Sequence, residues 1–396
     1  SDVYKRQYPD RMRAGSVQPV ALGRQAFSLV ARHCRDAGAS HVILPEYCCQ
    51  TMVTPWQLEG MAVSRVRCGA DLLMDAQHLG ETVERLHSDA RRPVIVHCRT
   101  YGNVESPQLH KVLTEAGRNG AGLVIDTTHS FLDDPPDRLR AVQRAACHLG
   151  GLGESGVTGP CDENRAGRAG EHGGVTPDRN PAPRGHGSPL QEESAGPQPE
   201  ALAGSLRCLE VASTRKLLPV TEFAWVAGVG LGPDHTGTHL DGIGPRAQLD
   251  EDLTAARQRF LTDPGVDTFE CAEDLADEAW QPVRPARRAS RAFATFDLAG
   301  CARRIRRTRQ RVLDALPAVE VVNPAATCPL IVRTRRADAL ADDLHDHGIV
   351  GPLHWDRPEH LPADTRWPTD LLCLPAVMTD AQIEVVARHV RSCNRG

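Results

Sequence analysis

The chain has 396 residues, 40% of them hydrophobic and only 4% aromatic, and a formal net charge of −5. That length can bury a large core and predicts two domains, while the acidic balance excludes a general nucleic-acid binder. No run of 18 apolar residues marks a membrane span, and no charged-then-apolar leader marks secretion. The 13 cysteines are odd in number and scattered, with no C-x-x-C pair to suggest structural zinc. Reduced thiols in a cytosolic protein are therefore expected.

In chain order, residues 1–7, SDVYKRQ, match the translation of a sequencing-library adapter. They are set aside from fold reasoning, and the natural N-terminus is expected to be missing. Residues 20–36 read as a loop at Gly23 that opens an amphipathic helix. HVILPEY (41–47) is a short apolar strand ending at Pro45, and MAVSRVRC (61–68) alternates as a strand does. RPVIVHCR (92–99) and GLVIDTTHS (122–130) are apolar runs with polar residues at their C-terminal ends. Between them, SPQLHKVLTEAGRNG (106–120) has helical spacing and ends in Gly. Strands alternating with helices predict a mostly parallel, doubly wound sheet, which collects ligands just beyond the carboxyl ends of its strands.

From 151 to 205 the composition turns to Gly, Pro and charge with almost no large apolar residue. Such a segment cannot offset its ordering entropy by burial, so a disordered insertion is expected, with a mis-joined segment as the alternative. Order returns at LRCLEVAS (206–213) and EFAWVAGVGLG (222–232), both strands, and 247–280 reads as helical. Residues 297–317 form a long helix with Leu298, Ile305, Val312 and Leu316 on its apolar side. Its arginines read as a solvated face rather than a phosphate or nucleic-acid patch. A strand (CPLIVRT), a helix (ADALADDLHDHGI), a strand (LLCLPAV) and a helix (DAQIEVVARHVRSC) complete the chain. The expected division is a large domain over 8–150 and 206–280 and a smaller α/β domain over 281–396.

Arginine is abundant, yet lysine occurs only at Lys5, Lys111 and Lys216. A lysine amine can lose its proton and attack a carbonyl, which a guanidinium cannot, so Lys216 is a candidate for Schiff-base chemistry. Its surroundings sharpen that reading. GRQAF (23–27), PEYCCQT (45–51), DTTH (126–129) and STRK (213–216) follow one another in an informative order. This order resembles that of the PLP-dependent enzymes of fold type I, and most closely that of the DegT/StrS-type sugar aminotransferases. The resemblance covers roughly 20–135 and 206–395, and LHWDRPEHLP (353–362) and LLCLPAVMTDAQIEVVARHV (371–390) are similar to that family's C-terminal domain.

The resemblance implies a three-layer α/β fold like that of aspartate aminotransferase, with a smaller α/β C-terminal domain. It also implies pyridoxal 5'-phosphate (PLP) as cofactor and a homodimer with sites at the interface. Lys216 would hold the cofactor aldehyde. Asp126 would pair with the pyridine nitrogen and keep it protonated, a role that offsets the cost of a buried carboxylate. His129 would hydrogen-bond the ring hydroxyl. Gly23 and Arg24 would offer the phosphate the amides of a helix N-terminus, and Ser213 a hydroxyl. Tyr47 would cover the ring face, with Cys48 or Cys49 as alternatives one or two residues on. The family often continues past its lysine with a Gly-rich turn, whereas PVTEFAW follows here. The implied reaction moves an amino group from glutamate or glutamine to a keto group on a nucleotide-linked sugar, with dehydration as a sibling reaction.

Three other readings compete. DHTGTHLDG (234–242) resembles the metal motif of cyclase-type hydrolases, with His235, His239 and Asp241 as ligands for zinc or manganese. Its continuation, GIGPRAQ, lacks the usual Pro and further His, so no metal site is expected. STRK also fits the S-x-x-K of penicillin-binding proteins, but their S-D-N and K-T-G partners are missing from the sequence. The third is a catalytically inactive relative with the same fold.

Overall fold

The aliphatic runs at 41–45, 93–98 and 122–126 are hydrophobic at nearly every position, the pattern of strands covered on both faces. The computed structural model describes residues 17–152, 208–228, 240–316, 319–349, 357–358, 361–362 and 365–395. The adapter-like stretch and all but the first two residues of the expected insertion lie outside them.

Seven described strands form one sheet in the order β1-β7-β6-β5-β4-β2-β3. They are β1 (Val17–Val20), β2 (His41–Pro45), β3 (Ala62–Val66), β4 (Pro93–Cys98), β5 (Gly122–Asp126), β6 (Cys208–Ser213) and β7 (Ala224–Gly228). Only β7 runs against the others, pairing antiparallel with both β6 and β1. The expected mostly parallel sheet is thus present. The one reversal follows from the short return between β6 and β7, which leaves no room for a crossover helix.

Helices cover both faces. Val42, Leu44, Val94, Val96 and Val124 pack beneath α1 (Gly23–Asp36) and α2 (Gln50–Leu58). The alternate residues Ile43 and Ile95 pack instead with α3 (Ala76–Ser88) and α4 (Pro107–Arg118), as the period-two geometry of strands requires. Farther along the sheet, Ala212, Trp225 and Ala227 are covered by α5 (Pro136–Gly150) and α8 (Arg287–Ala294). There Phe223 and Phe293 stack with centroids 4.4 Å apart, a contact contributing about 1 kcal/mol beyond its buried area.

The helical reading of 247–280 resolves into α6 (Gln248–Thr262) and α7 (Val266–Glu278), broken at Asp263-Pro264-Gly265. The proline prevents the helix from continuing through its own position. The long helix α9 (Leu298–Ala315) joins two cores. Leu298, Cys301 and Ile305 pack with the large sheet, whereas Val312 and Leu316 pack with the C-terminal elements. Arg303, Arg304, Arg306 and Arg307 face solvent as expected, but Arg309 turns inward and donates to the carbonyls of Cys328 and Asn323. The C-terminal elements are β8 (Glu320–Val321), β9 (Ile331–Arg333), α10 (Ala337–Asp346), β10 (Leu371–Cys373) and α11 (Asp380–Arg395), with an antiparallel sheet in the order β10-β9-β8. Among the described residues no helix is long and apolar enough to cross a membrane, and the cysteines are free thiols.

Candidate active site

The carboxyl ends of β2, β4, β5 and β6 open on one side of the sheet, and a cleft of about 710 Å³, counting its solvent-open mouth, lies there. Gly23, Arg24, Tyr47, Asp126, His129, Ser213 and Lys216 all line it, although they are drawn from four separate stretches of sequence. Cys48 and Cys49 line it as well. The other described lysine, Lys111, sits on the exposed side of α4, paired with Glu115 at 3.9 Å.

Asp126 is the last residue of β5 and is 6% exposed. Its Oδ1 accepts the backbone N–H of Thr128 at 2.9 Å, and its Oδ2 accepts the Cys98 thiol at 3.6 Å. Burial raises its pKa, against the pull of Thr128, Cys98 and the nearby Lys216 amine. A buried carboxylate in that state gains most from a cationic partner inside the cleft. Thr128 also accepts the N–H of Ser213 at 3.2 Å, which ties the end of β6 to the loop after β5.

His129 is neutral. Burial, reinforced by Lys216, lowers its pKa to about 3. Its Nδ1 accepts the backbone N–H of Tyr101 at 3.1 Å. A neutral imidazole that accepts at Nδ1 carries its proton on Nε2, so the ring is a donor at that atom. Tyr101 stacks on His129 with centroids 5.3 Å apart and an interplanar angle of 22°. Its backbone is left-handed (φ 54°, ψ 25°), uncommon for an aromatic residue and held here by packing on every side. The Tyr101 hydroxyl meets that of Tyr47 at 2.8 Å, and Tyr47 leans on Trp367 at 4.7 Å. The position expected to cover a ring is therefore braced from two sides. Cys48 is buried beside it, and Cys49 caps α2 and meets the Thr51 hydroxyl at 2.8 Å.

Lys216 ends a tight 3-10 turn over Thr214–Lys216. Thr214 fixes that turn by donating its N–H and its hydroxyl to the Phe223 carbonyl, each at 2.9 Å. Leu217, Leu218 and Val220 then bury themselves in the core. The PVTEFAW stretch thus replaces a Gly-rich turn with an apolar anchor. Beside it, α1 starts with N-terminal amides that no helical carbonyl can satisfy. Gly23 is required there by close approach, since a Cβ at that position would stand 3.0 Å from the Ser213 Cβ. Helix amides, a serine hydroxyl and a missing side chain form a cradle that fits a phosphate. Arg24 contributes backbone only. Its guanidinium donates to the Ala276 carbonyl and to Asp277 Oδ1 at 2.7 Å, and lies 5.2 Å over the Trp280 ring.

Sequence reasoning missed four residues of this site. Cys98 and Tyr101 follow from tertiary contacts with no local pattern. Arg215 stands next to Lys216, and its neighbour in a rare-lysine motif was the signal available for it. Arg257, from α6, lines the cleft from 41 positions beyond the lysine turn, and nothing in QLDEDLTAARQRFLT marks it. Of the proposed metal ligands, His235 and His239 lie outside the described residues, and Asp241 is exposed.

No protein-family model and no curated protein matches the chain. Among solved structures it is similar to a DegT DnrJ EryC1 StrS aminotransferase from Brucella abortus, with 13% identity, 98% of this chain and 92% of that one covered, and a TM-score of 0.53. It is similar to the Streptococcus pneumoniae protein Spr1654 in its PMP form, with 11% identity, 100% and 95% coverage, and a TM-score of 0.56. It is also similar to a sugar aminotransferase from Micromonospora echinospora, with 16% identity, 95% and 87% coverage, and a TM-score of 0.52. At such identities the likeness is one of backbone architecture, and the chain has the fold these proteins share, that of the PLP-dependent enzymes of fold type I.

Proposed function

We propose that the chain is a PLP-dependent aminotransferase, active as a cytosolic homodimer. The observation that carries this reading is the convergence of Lys216, Asp126 and His129 on one cleft that the Gly23–Ser213 cradle also lines. Each residue type suits its place. When bound, PLP supplies an aldehyde that captures amines and a protonated pyridine ring that accepts electron density from the carbon beside the captured nitrogen.

The chain's own residues do the rest. Lys216 would hold the cofactor and, once displaced by an amino donor, carry a proton between the donor's Cα and the neighbouring cofactor carbon. Asp126 would face the pyridine N–H, where its buried charge is matched. His129 would donate from Nε2 to the ring oxygen, a role that its neutral state and its Tyr101 bond both support. Tyr47, braced by Tyr101 and Trp367, would hold the ring plane. The first-turn amides of α1 and the Ser213 hydroxyl would receive the phosphate. The resemblance in sequence order favours glutamate or glutamine as donor and a nucleotide-linked keto-sugar as acceptor.

The test is a visible spectrum of purified protein incubated with PLP, before and after borohydride. The expected result is a yellow protein whose colour is lost on reduction, with the cofactor fixed to the peptide containing Lys216. Label on Lys111, or no label on PLP-loaded protein, would overturn the assignment. Lys216→Arg keeps the charge but cannot bond the aldehyde, so it should lose the label and transamination together.

A further inference from the structure

One end of the cleft holds more positive charge than its carboxylates match. Arg215 donates to Glu273, and Arg257 Nη2 stands 3.9 Å from that same carboxylate. Arg257 Nη1 donates to the Thr221 carbonyl at 3.0 Å. The Nε of Arg257 has no hydrogen-bond partner among the described residues, although the side chain is only 6% exposed and lines the cleft. Arg24 is close enough to raise the local potential further, but its fork is already committed to α7. Two guanidiniums therefore share Glu273, and neither can relieve the crowding by releasing a proton. A buried cation left half-paired is costly unless an anion completes its shell. The phosphate cradle, with its α1 amides and Gly23 pressed against Ser213, opens on the same cleft.

We infer that Arg257 is a ligand of a phosphate-ester anion at this end of the cleft, and that Arg215 and Glu273 form the clamp that keeps Arg257 in position when the anion is away. The planar guanidinium would place its Nε–H against a phosphate oxygen while Thr221 retains Nη1 and Glu273 stays beside Nη2. The inference rests on the proposed function only for the source of the anion. The cofactor's phosphate and a phosphate carried by the substrate present the same oxygens to Arg257.

The experiment begins with cofactor-free protein and inorganic phosphate, read as a shift in thermal midpoint at constant ionic strength with chloride as control. Phosphate should stabilise the wild type, and Arg257→Met should weaken its apparent affinity at least tenfold. Arg257→Lys keeps the charge and should recover part of the effect. Glu273→Gln releases both guanidiniums from their shared carboxylate and should tighten phosphate severalfold, a gain that misfolding cannot imitate. A phosphate shift of equal size in wild type and Arg257→Met, or no shift in the wild type, overturns the inference.

Titration with PLP and with pyridoxal, which lacks the phosphate, then separates the sources. Loss of PLP affinity with pyridoxal affinity unchanged places the cofactor's phosphate on Arg257. Unchanged PLP affinity alongside lost phosphate binding places a substrate phosphate there. A chain that binds no PLP yet binds phosphate through Arg257 would sink the cofactor reading and leave this one standing.

Discussion

Asp126 is placed where its charge is costly to the empty protein. Burial raises its pKa in the fold, so the folded chain binds that proton more readily than the unfolded chain does. Stability of the cofactor-free protein therefore falls as pH rises from the ordinary aspartate range, roughly pH 4, through the raised value. Asp126→Asn removes the titrating group. Chemical denaturation of the cofactor-free variant should show that decline flattened and, at neutral pH, a higher midpoint than wild type. In the loaded enzyme the same change withdraws the partner of the pyridine N–H. Single-turnover absorbance with an amino donor should then slow by orders of magnitude, each factor of ten corresponding to about 1.4 kcal/mol of barrier. A half-reaction at the unmutated rate would show that Asp126 does not serve the ring. The spacing DTTH was legible in the sequence because a polar residue ending an apolar strand needs a reason. The protonation state of His129 was not, because the Tyr101 N–H that fixes it comes from a turn 28 positions earlier.

Elements were legible where local pattern and tertiary demand agree. Strands β2, β4 and β5 announce themselves by aliphatic runs and β3 by alternation, and α4 by the Ser106-Pro107 start, where Ser106 accepts the Leu109 N–H. Of three large-domain helices left out of the sequence reading, two carried usable signals. In α3, Asp75 caps the start and Leu79, Val83 and Leu86 recur at helical spacing; in α5, Pro136 precedes Leu139, Val142 and Ala146. The harder case is α2, which holds Pro55 within nine residues. Strand β1 is short and contains Pro19, which suits an edge and weakens any local strand signal. At the junction of α1 and β6, Gly23→Ala should test the cradle. The added methyl must push Ser213 or the helix start by a few tenths of an ångström, so a destabilisation of about 1–2 kcal/mol is expected. Affinity for PLP should fall more than affinity for pyridoxal, because the displaced groups are those assigned to the phosphate. Equal losses for the two ligands would place the phosphate elsewhere.

Across the whole molecule, the candidate site depends on a residue that never touches the cleft. Asn323, between β8 and β9, is fully buried. Its Nδ2 donates to the carbonyls of Tyr101 and Pro329, each at 2.9 Å, and its Oδ1 accepts the Ile331 N–H at 2.9 Å. Gly102 permits this docking, because with φ 78° a Cβ there would stand 2.6 Å from that of Ala326. The C-terminal elements thus hold the left-handed Tyr101, and Tyr101 in turn fixes the His129 ring. No sequence pattern reveals such a chain of contacts, since Tyr101 lies more than 200 positions from Asn323. Asn323→Ala would leave the Ile331 N–H and a Pro329 carbonyl without that partner in a dry interior. Each orphaned group costs about 1–3 kcal/mol, so a loss of several kcal/mol is expected in a urea titration. The more telling readout is at a distance. Freed from Asn323, Tyr101 should relax from its left-handed backbone, and the His129 Nδ1 should lose its donor. Nitrogen NMR of labelled histidine should show wild-type His129 protonated at Nε2 alone and unchanged down to mildly acidic pH, whereas the variant should show mixed tautomers and a pKa moved back toward ordinary histidine. Asn323→Asp retains the acceptor and one brace on the turn while losing the Nδ2 donor, and should fall between the two. If His129 keeps a single tautomer in Asn323→Ala while stability drops, the C-terminal elements merely pack against the site and do not set its chemistry.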